Sequence, residues 1–176
     1  FGSALKSDLI AIDAEGHEKF RRHYEANIYN IGLSPCGRYA SVQTAGAPGD
    51  DGNILEVISL WSNTIIFSVK PEYGWADSYL FDLDENGVLR SLKVKCKDVG
   101  YFRYSATGIS IDVEAYKDAC LTKGTFTLQV EAARELLKNS PNEENAQKAL
   151  KAIDIALNEG AKDRNDWAAS AFRIKG

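Results

Sequence analysis

The chain has no methionine, four prolines, three cysteines and two histidines in 176 residues. Each scarcity excludes something. Cys36, Cys96 and Cys120 lie far apart with no Cys-x-x-Cys pair, which fits neither a complete disulfide framework nor a zinc ribbon. They read as reduced thiols of a reducing compartment, and so as a cytoplasmic location. No run of about 18 apolar residues occurs, so no transmembrane helix and no membrane partner are expected. A basic excess is missing as well. Residues 1–113 carry 11 basic against 15 acidic side chains and 114–176 carry 10 of each, for a net charge of −4. Binding a phosphate backbone draws on surplus Lys and Arg, so no nucleic-acid partner is expected. No Gly-rich phosphate loop, G-x-S-x-G elbow or kinase motif is present, and no cofactor or catalytic residue is assigned. The start at Phe1 without methionine points to a fragment or processed product, with Phe1-Gly2-Ser3 readable as a cloning remnant. What remains is ordinary globular composition, 44% hydrophobic and 26% charged.

The strongest positive signal is a recurring turn. Asp13-Ala14-Glu15-Gly16, Ser34-Pro35-Cys36-Gly37, Asp84-Glu85-Asn86-Gly87 and Ser105-Ala106-Thr107-Gly108 share the form Asp/Ser-x-x-Gly. The first side chain can accept a hydrogen bond from the backbone two residues on, and the Gly can take the positive φ that ends such a turn. β-rich segments flank each copy, so these are hairpin signals. A fifth hairpin turns at Ser62-Asn63. From Asp13 through Ser34, Ser62 and Asp84 to Ser105 the markers stand 21, 28, 22 and 21 residues apart. The long interval holds the loop Ala47–Asn53. This periodicity predicts about ten antiparallel strands in up-and-down order. They fall near 9–13, 18–24, 28–33, 38–44, 54–61, 64–69, 78–82, 88–94, 100–105 and 109–113.

Ile31-Gly32-Leu33-Ser34-Pro35-Cys36-Gly37-Arg38-Tyr39-Ala40 resembles the inner hairpin of a WD40-like propeller repeat, and Asn53–Trp61 resembles the strand that follows it. Leu80–Gly87 resembles a second, degenerate copy. The Gly-His pair of such repeats is absent, and Trp61 is followed by Ser62 where they carry Asp. Over residues 8–112 the resemblance implies about two and a half blades, too few to close a ring. An open curved sheet or a sandwich is the other arrangement these strands allow.

After Asp112 the periodicity changes. Glu114–Leu121 reads as a short helix or a linker. Leu128, Val130, Ala132, Ala133, Leu136 and Leu137 suit an amphipathic helix that ends before Pro141. A second helix spans about 142–159, with Gly160 as a natural C-cap, and a third follows Asp163. The Ala/Leu ladder of 146–157 with Trp167 and Ala171 is similar to parts of two consecutive tetratricopeptide repeats. The expected fold is therefore α+β: an antiparallel β meander followed by a helical hairpin or repeat. Its expected divisions are a β domain at 1–113, a linker at 114–127 and a helical segment at 128–176.

Sites of chemistry are sparse. Asp82-Leu83-Asp84-Glu85-Asn86-Gly87 opens like a calcium loop, but position twelve is Lys93, whose ammonium opposes a cation. A hairpin turn explains it and its three sister copies. His17 and His23 miss metalloprotease spacing and fall on a strand. No metal ligand is therefore assigned. Asp50, Asp51 and Asp77 would matter only if loops brought them together. Lys93, Lys95 and Lys97 alternate along a solvated strand face. Cys36 sits on a turn with no legible base. Tyr73 and Trp75 in a Gly-containing loop, and Trp167, Phe172 and Ile174 on the last helix, are the candidate protein-binding residues. Two repeat-like architectures without a catalytic constellation point to a non-enzymatic interaction or scaffold module. The alternative is a sensor or substrate-recognition domain of a larger enzyme. A protein partner is expected, with self-association through the C-terminal helices.

Overall fold

The computed structural model describes the backbone of residues 6–160 and 165–175 and the side chains of 6–158 and 169–174. Among the described residues it has nine strands and then four helices, the α+β order read from the sequence. Two units are distinct. One holds residues up to Cys96 and Tyr101–Asp112, and the other holds Lys97–Gly100 and everything from Val113 on.

The strand unit is a meander in three sheets. β1 (Ser7–Ile12) pairs with β2 (Glu18–Tyr24). A four-stranded sheet follows in sequence order: β3 (Ile28–Leu33), β4 (Tyr39–Thr44), β5 (Leu55–Ser59) and β6 (Thr64–Val69). The third sheet is β7 (Ala76–Leu83), β8 (Leu89–Cys96) and β9 (Gly100–Ser105).

The repeated turns act as their composition implies. Asp84 Oδ1 accepts from the backbone N–H of Asn86 at 2.9 Å and of Val88 at 2.8 Å. Asp13 and Ser105 make the same pair of bonds to their own downstream amides. Gly16, Gly37, Gly87 and Gly108 all sit at positive φ, and Asn63 does so at the fifth turn. The calcium-like segment is thus a hairpin, with Asp84 occupied by backbone amides and Asp82 accepting from Ser91 Oγ. Lys93 and Lys95 are exposed on β8, and Lys97 just beyond it.

Sheets are joined by apolar clusters and by buried polar groups. Phe20, Tyr24, Val42, Ile54 and Ile58 form one cluster across the first two sheets. Glu56 of β5, only 1% exposed, bridges the same pair. It accepts from Arg22 Nη2 at 3.1 Å and from the Tyr24 hydroxyl at 2.8 Å. Arg22 also meets Asp51 at 3.1 Å. Between the second and third sheets, Gln43 Oε1 accepts from the Ala76 amide, and Asn30 Nδ2 donates to the Ala76 carbonyl.

The expected tenth strand at 109–113 is replaced by a single bridge between Tyr104 and Ser110. The reason lies at Asp112. Its amide donates to the Tyr73 hydroxyl at 2.7 Å, and its carboxylate clasps the Arg103 guanidinium at 2.8 Å. The Tyr73 bond takes the Asp112 amide away from β9, so backbone pairing ends at Ile111, whose amide still donates to the Arg103 carbonyl.

The helical unit contains α1 (Val113–Thr122), α2 (Phe126–Asn139), α3 (Glu143–Gly160) and α4 (Asn165–Lys175). α1 occupies most of the stretch expected as a linker. Thr125 caps α2 by accepting from the Leu128 amide. The core is unusually rich in small residues: Ala133, Ala149, Ala152, Ala156 and Ala171 surround Leu121, Val130 and Ile153. None of the described helices is long and apolar enough to cross a membrane.

Candidate functional site

Three turns of the strand unit supply one groove. The β1–β2 turn contributes Asp13, the β3–β4 turn contributes Cys36, Gly37 and Arg38, and the end of β5 contributes Leu60 and Trp61. Lys19 of β2 completes it, and its volume is about 520 Å³. Backbone bonds fix the walls. Leu60 N–H donates to the Arg38 carbonyl at 2.8 Å, and Gly37 N–H to the Ser34 carbonyl at 2.9 Å.

Trp61 is 83% exposed, the most exposed large apolar side chain among the described residues. The Arg38 guanidinium carbon stands 5.7 Å from its ring centroid, within cation–π range. Arg38 Nη1 also donates to the Asn86 carbonyl at 3.0 Å, which holds the side chain in place. Opposite, the Lys19 ammonium pairs with Asp13 at 2.9 Å. That hydrogen bond, followed by the His17 backbone amide, holds the Asp13 carboxyl below its ordinary value. Cys36 is exposed, and its thiol is lowered first by the Ser34 hydroxyl and then by the Arg38 backbone. No histidine lines the groove. The side chain that shares a hydrogen bond with the Cys36 thiol is Ser34, at 3.5 Å, a hydroxyl and not a base. A flat aromatic face beside two cations suits binding: stacking on the indole, and pairing of a carboxylate with Arg38 or Lys19.

The residues marked from sequence have different fates. Tyr73 is only 2% exposed and serves the interior. Its hydroxyl donates to the Arg103 carbonyl and accepts from Asp112 N–H, and its ring packs on Phe102 and Tyr104. The expectation of an exposed binding anchor there is corrected by that burial. Trp75 is 43% exposed and leans on Tyr29, with ring centroids 4.7 Å apart. Neither lies in the groove. Phe172 is 60% exposed on α4, whereas Ile174 packs against the helical core. The Trp167 side chain lies outside the described residues.

His17 and His23 face separate carboxylates, Asp13 and Asp8. Among the described residues no group of three His, Cys, Asp or Glu could hold a metal ion. Asp51 is engaged by Arg22 and by the Glu25 amide at 2.8 Å. Sequence reasoning passed over Trp61 as a strand residue. The signal available was its place directly before the Ser62-Asn63 turn, where the ladder ends and neighbouring strands no longer cover a side chain.

No family model matches the chain, and no curated protein is similar enough to it to count as a relative.

Proposed function

We propose that the chain is a non-enzymatic protein-interaction module whose Trp61 groove receives a peptide segment of a partner protein. The observation that carries this reading is Trp61 itself: a large indole, 83% exposed, held beside a fixed guanidinium at a formed groove. Tryptophan and arginine are the residues most enriched where binding energy concentrates. The partner segment supplies an apolar or aromatic side chain for the indole and a carboxylate for Arg38 or Lys19. The resemblance of 8–112 to WD40-like blades supports the reading. So does the succession of two, four and three antiparallel strands, which is what consecutive partial blades would supply. The three cysteines form no disulfide, which fits a reducing compartment such as the cytoplasm. Phe172 is the natural contact for self-association through the helical unit.

Selection of a displayed random-peptide library on the purified chain tests the groove. Enriched peptides should share an aromatic or aliphatic residue near an acidic one. Their affinity should drop about ten-fold or more with Trp61→Ala, the scale of a hot-spot truncation. Affinity unchanged in Trp61→Ala, or no enrichment at all, would overturn the reading.

A further inference from the structure

The helical unit carries a second groove, of about 340 Å³, between α1 and α2. Its floor is apolar. Leu128, Ala132 and Leu136 repeat every four residues along α2, and Leu121 of α1 joins them. All three α2 positions are only half-buried, Ala132 and Leu136 with one side on the helical core, so among the described residues the stripe keeps a face uncovered.

Its rims are acidic. Glu114 and Asp118 stand one turn apart on α1, and Glu131 and Glu135 one turn apart on α2. All four are exposed. Among the lining residues four carboxylates face one ammonium, that of Lys117, which pairs with Glu114 at 2.8 Å. Lys138, outside the lining, reaches Glu135 only at 3.9 Å, and Lys148 of α3, paired with Glu144 at 2.8 Å, acts on Asp118 by charge alone. This imbalance is local, because residues 114–176 carry equal numbers of acidic and basic side chains. Like charges four residues apart weaken a helix, and both helices carry such a pair flanking the same stripe.

We infer that this groove is a docking site for a basic amphipathic helix, a partner segment with Leu-type residues on one face and Lys or Arg on its flanks. The apolar stripe takes the partner's leucines, and the two carboxylate pairs take its cations. α1 has ten residues, about 15 Å of helix, so the groove accommodates two to three turns. Anionic lipid headgroups and nucleic acid carry the wrong charge for these rims. The inference shares the interaction-module reading as to class, but it does not depend on the Trp61 groove.

The probe is a synthetic Lys/Leu amphipathic peptide of about twelve residues, three helical turns, titrated into the isotope-labelled full chain by NMR. Two controls accompany it: a scrambled peptide of the same composition, and a Glu/Leu counterpart. Shifts should concentrate at 114–121 and 128–136 with the amphipathic peptide alone. Affinity should fall about ten-fold or more between roughly 0.05 and 0.5 M salt, as screening requires. Glu131→Lys with Glu135→Lys should weaken binding at least about ten-fold while the amide spectrum elsewhere stays unchanged, and Trp61→Ala should leave it intact. Ala132→Gln, a milder change to the floor, should weaken it too. Equal binding of the scrambled peptide, shifts confined to the strand unit, or indifference to the charge reversals would each overturn the inference. Loss of this binding in Trp61→Ala would overturn it as well, by locating the peptide in the other groove. Display peptides that depend on Trp61 would still stand if the Lys/Leu peptide failed, so the two readings fail separately.

Discussion

The strand unit and the helical unit of this chain are held together by different physics. Glu56, Gln43, Thr44, Ser34, Ser41, Ser59 and Ser91 are buried polar residues of the strand unit, whereas Gln129 is the one in the helical unit among the described residues. Most of the strand unit's buried polar groups have partners, and some of those reach from one sheet to the next. Such bonds select one register, because a slip of one residue would leave them unpaired in the interior. Five of the eight fully buried residues of the helical core cluster are alanines. Small side chains let helix backbones approach closely, so dispersion contacts accumulate from fit rather than from bulk. The lesson is that one unit is vulnerable to losing a polar partner and the other to gaining volume.

The largest effect should come from Glu56→Ala. It strips the Tyr24 hydroxyl of its buried acceptor and Arg22 of its deepest partner. Breaking a buried pair costs about 3–5 kcal/mol. Arg22 is about a third exposed and keeps Asp51, so the lower end, about 3 kcal/mol, is expected. Urea unfolding measures it. Glu56→Gln should cost less, since its amide oxygen still accepts from Tyr24. A loss below about 1 kcal/mol for Glu56→Ala would break the comparison, because the network would then contribute no more than a surface pair.

Next in size is Ala152→Leu in the middle of α3. Ala152 is buried within the alanine-rich cluster. Added carbons there must displace a neighbouring helix, and overpacking costs about 1–3 kcal/mol. Circular dichroism at the helical band, followed through thermal unfolding, reads it. A neutral outcome would mean that the helices slide apart freely, and close approach would no longer explain the alanines.

How much of this was legible beforehand also divides along the two units. The β meander could be read because Asp13, Ser34, Asp84 and Ser105 each announce a turn whose hydrogen bonds are local to a few residues. α2 and α3 could be read because their apolar residues recur at helical spacing. α1 was ambiguous because ten residues give barely three turns, and only Cys120 and Leu121 are fully buried. The lost tenth strand was not legible: Asp112 is taken by Tyr73 and Arg103, partners 39 and 9 residues away. The same holds for the interior role of Tyr73, whose loop position suggested exposure. Neither groove was legible as a site. Each is made by segments far apart in sequence or by a helix pair whose shared face only packing defines.

A third pair of changes sharpens the comparison by being equal. Asp84→Ala removes the acceptor of two backbone amides at a β-turn, and Thr125→Ala removes the cap of α2. Both are local, with Asp84 half-buried and Thr125 exposed, and each should cost about 1 kcal/mol. Matching losses in urea unfolding would place the difference between the units in their cores. A Thr125→Ala loss several times larger would place part of it at the helix ends.

The smallest effect expected is in acid. Depressed carboxyls are concentrated in the strand unit. Asp112 is lowered mainly by its hydrogen bond from Arg103, Glu18 by Arg21, Glu25 by Lys6 and Asp13 by Lys19. Among the described residues of the helical unit, Glu144 is lowered by Lys148. A carboxyl whose folded pKa lies below its unfolded value binds fewer protons when folded. Its contribution is complete above the unfolded value, 3.8 for Asp and 4.5 for Glu, and is lost as pH falls through the lower folded value. Acidification from about pH 5 should therefore destabilise the strand unit more steeply than the helical one. Most of these pairs are exposed, so the difference is small and should shrink further in salt. Asp13 and Asp112 are the exceptions, since each carboxylate is four-fifths covered and takes backbone amides as well as a cation. Amide exchange followed separately in β9 and α3 between pH 5 and pH 3 would resolve the two slopes. Asp112→Asn should flatten the β9 slope and leave that of α3 alone. Parallel slopes in the parent chain would show that acid sensitivity does not follow the division between the units.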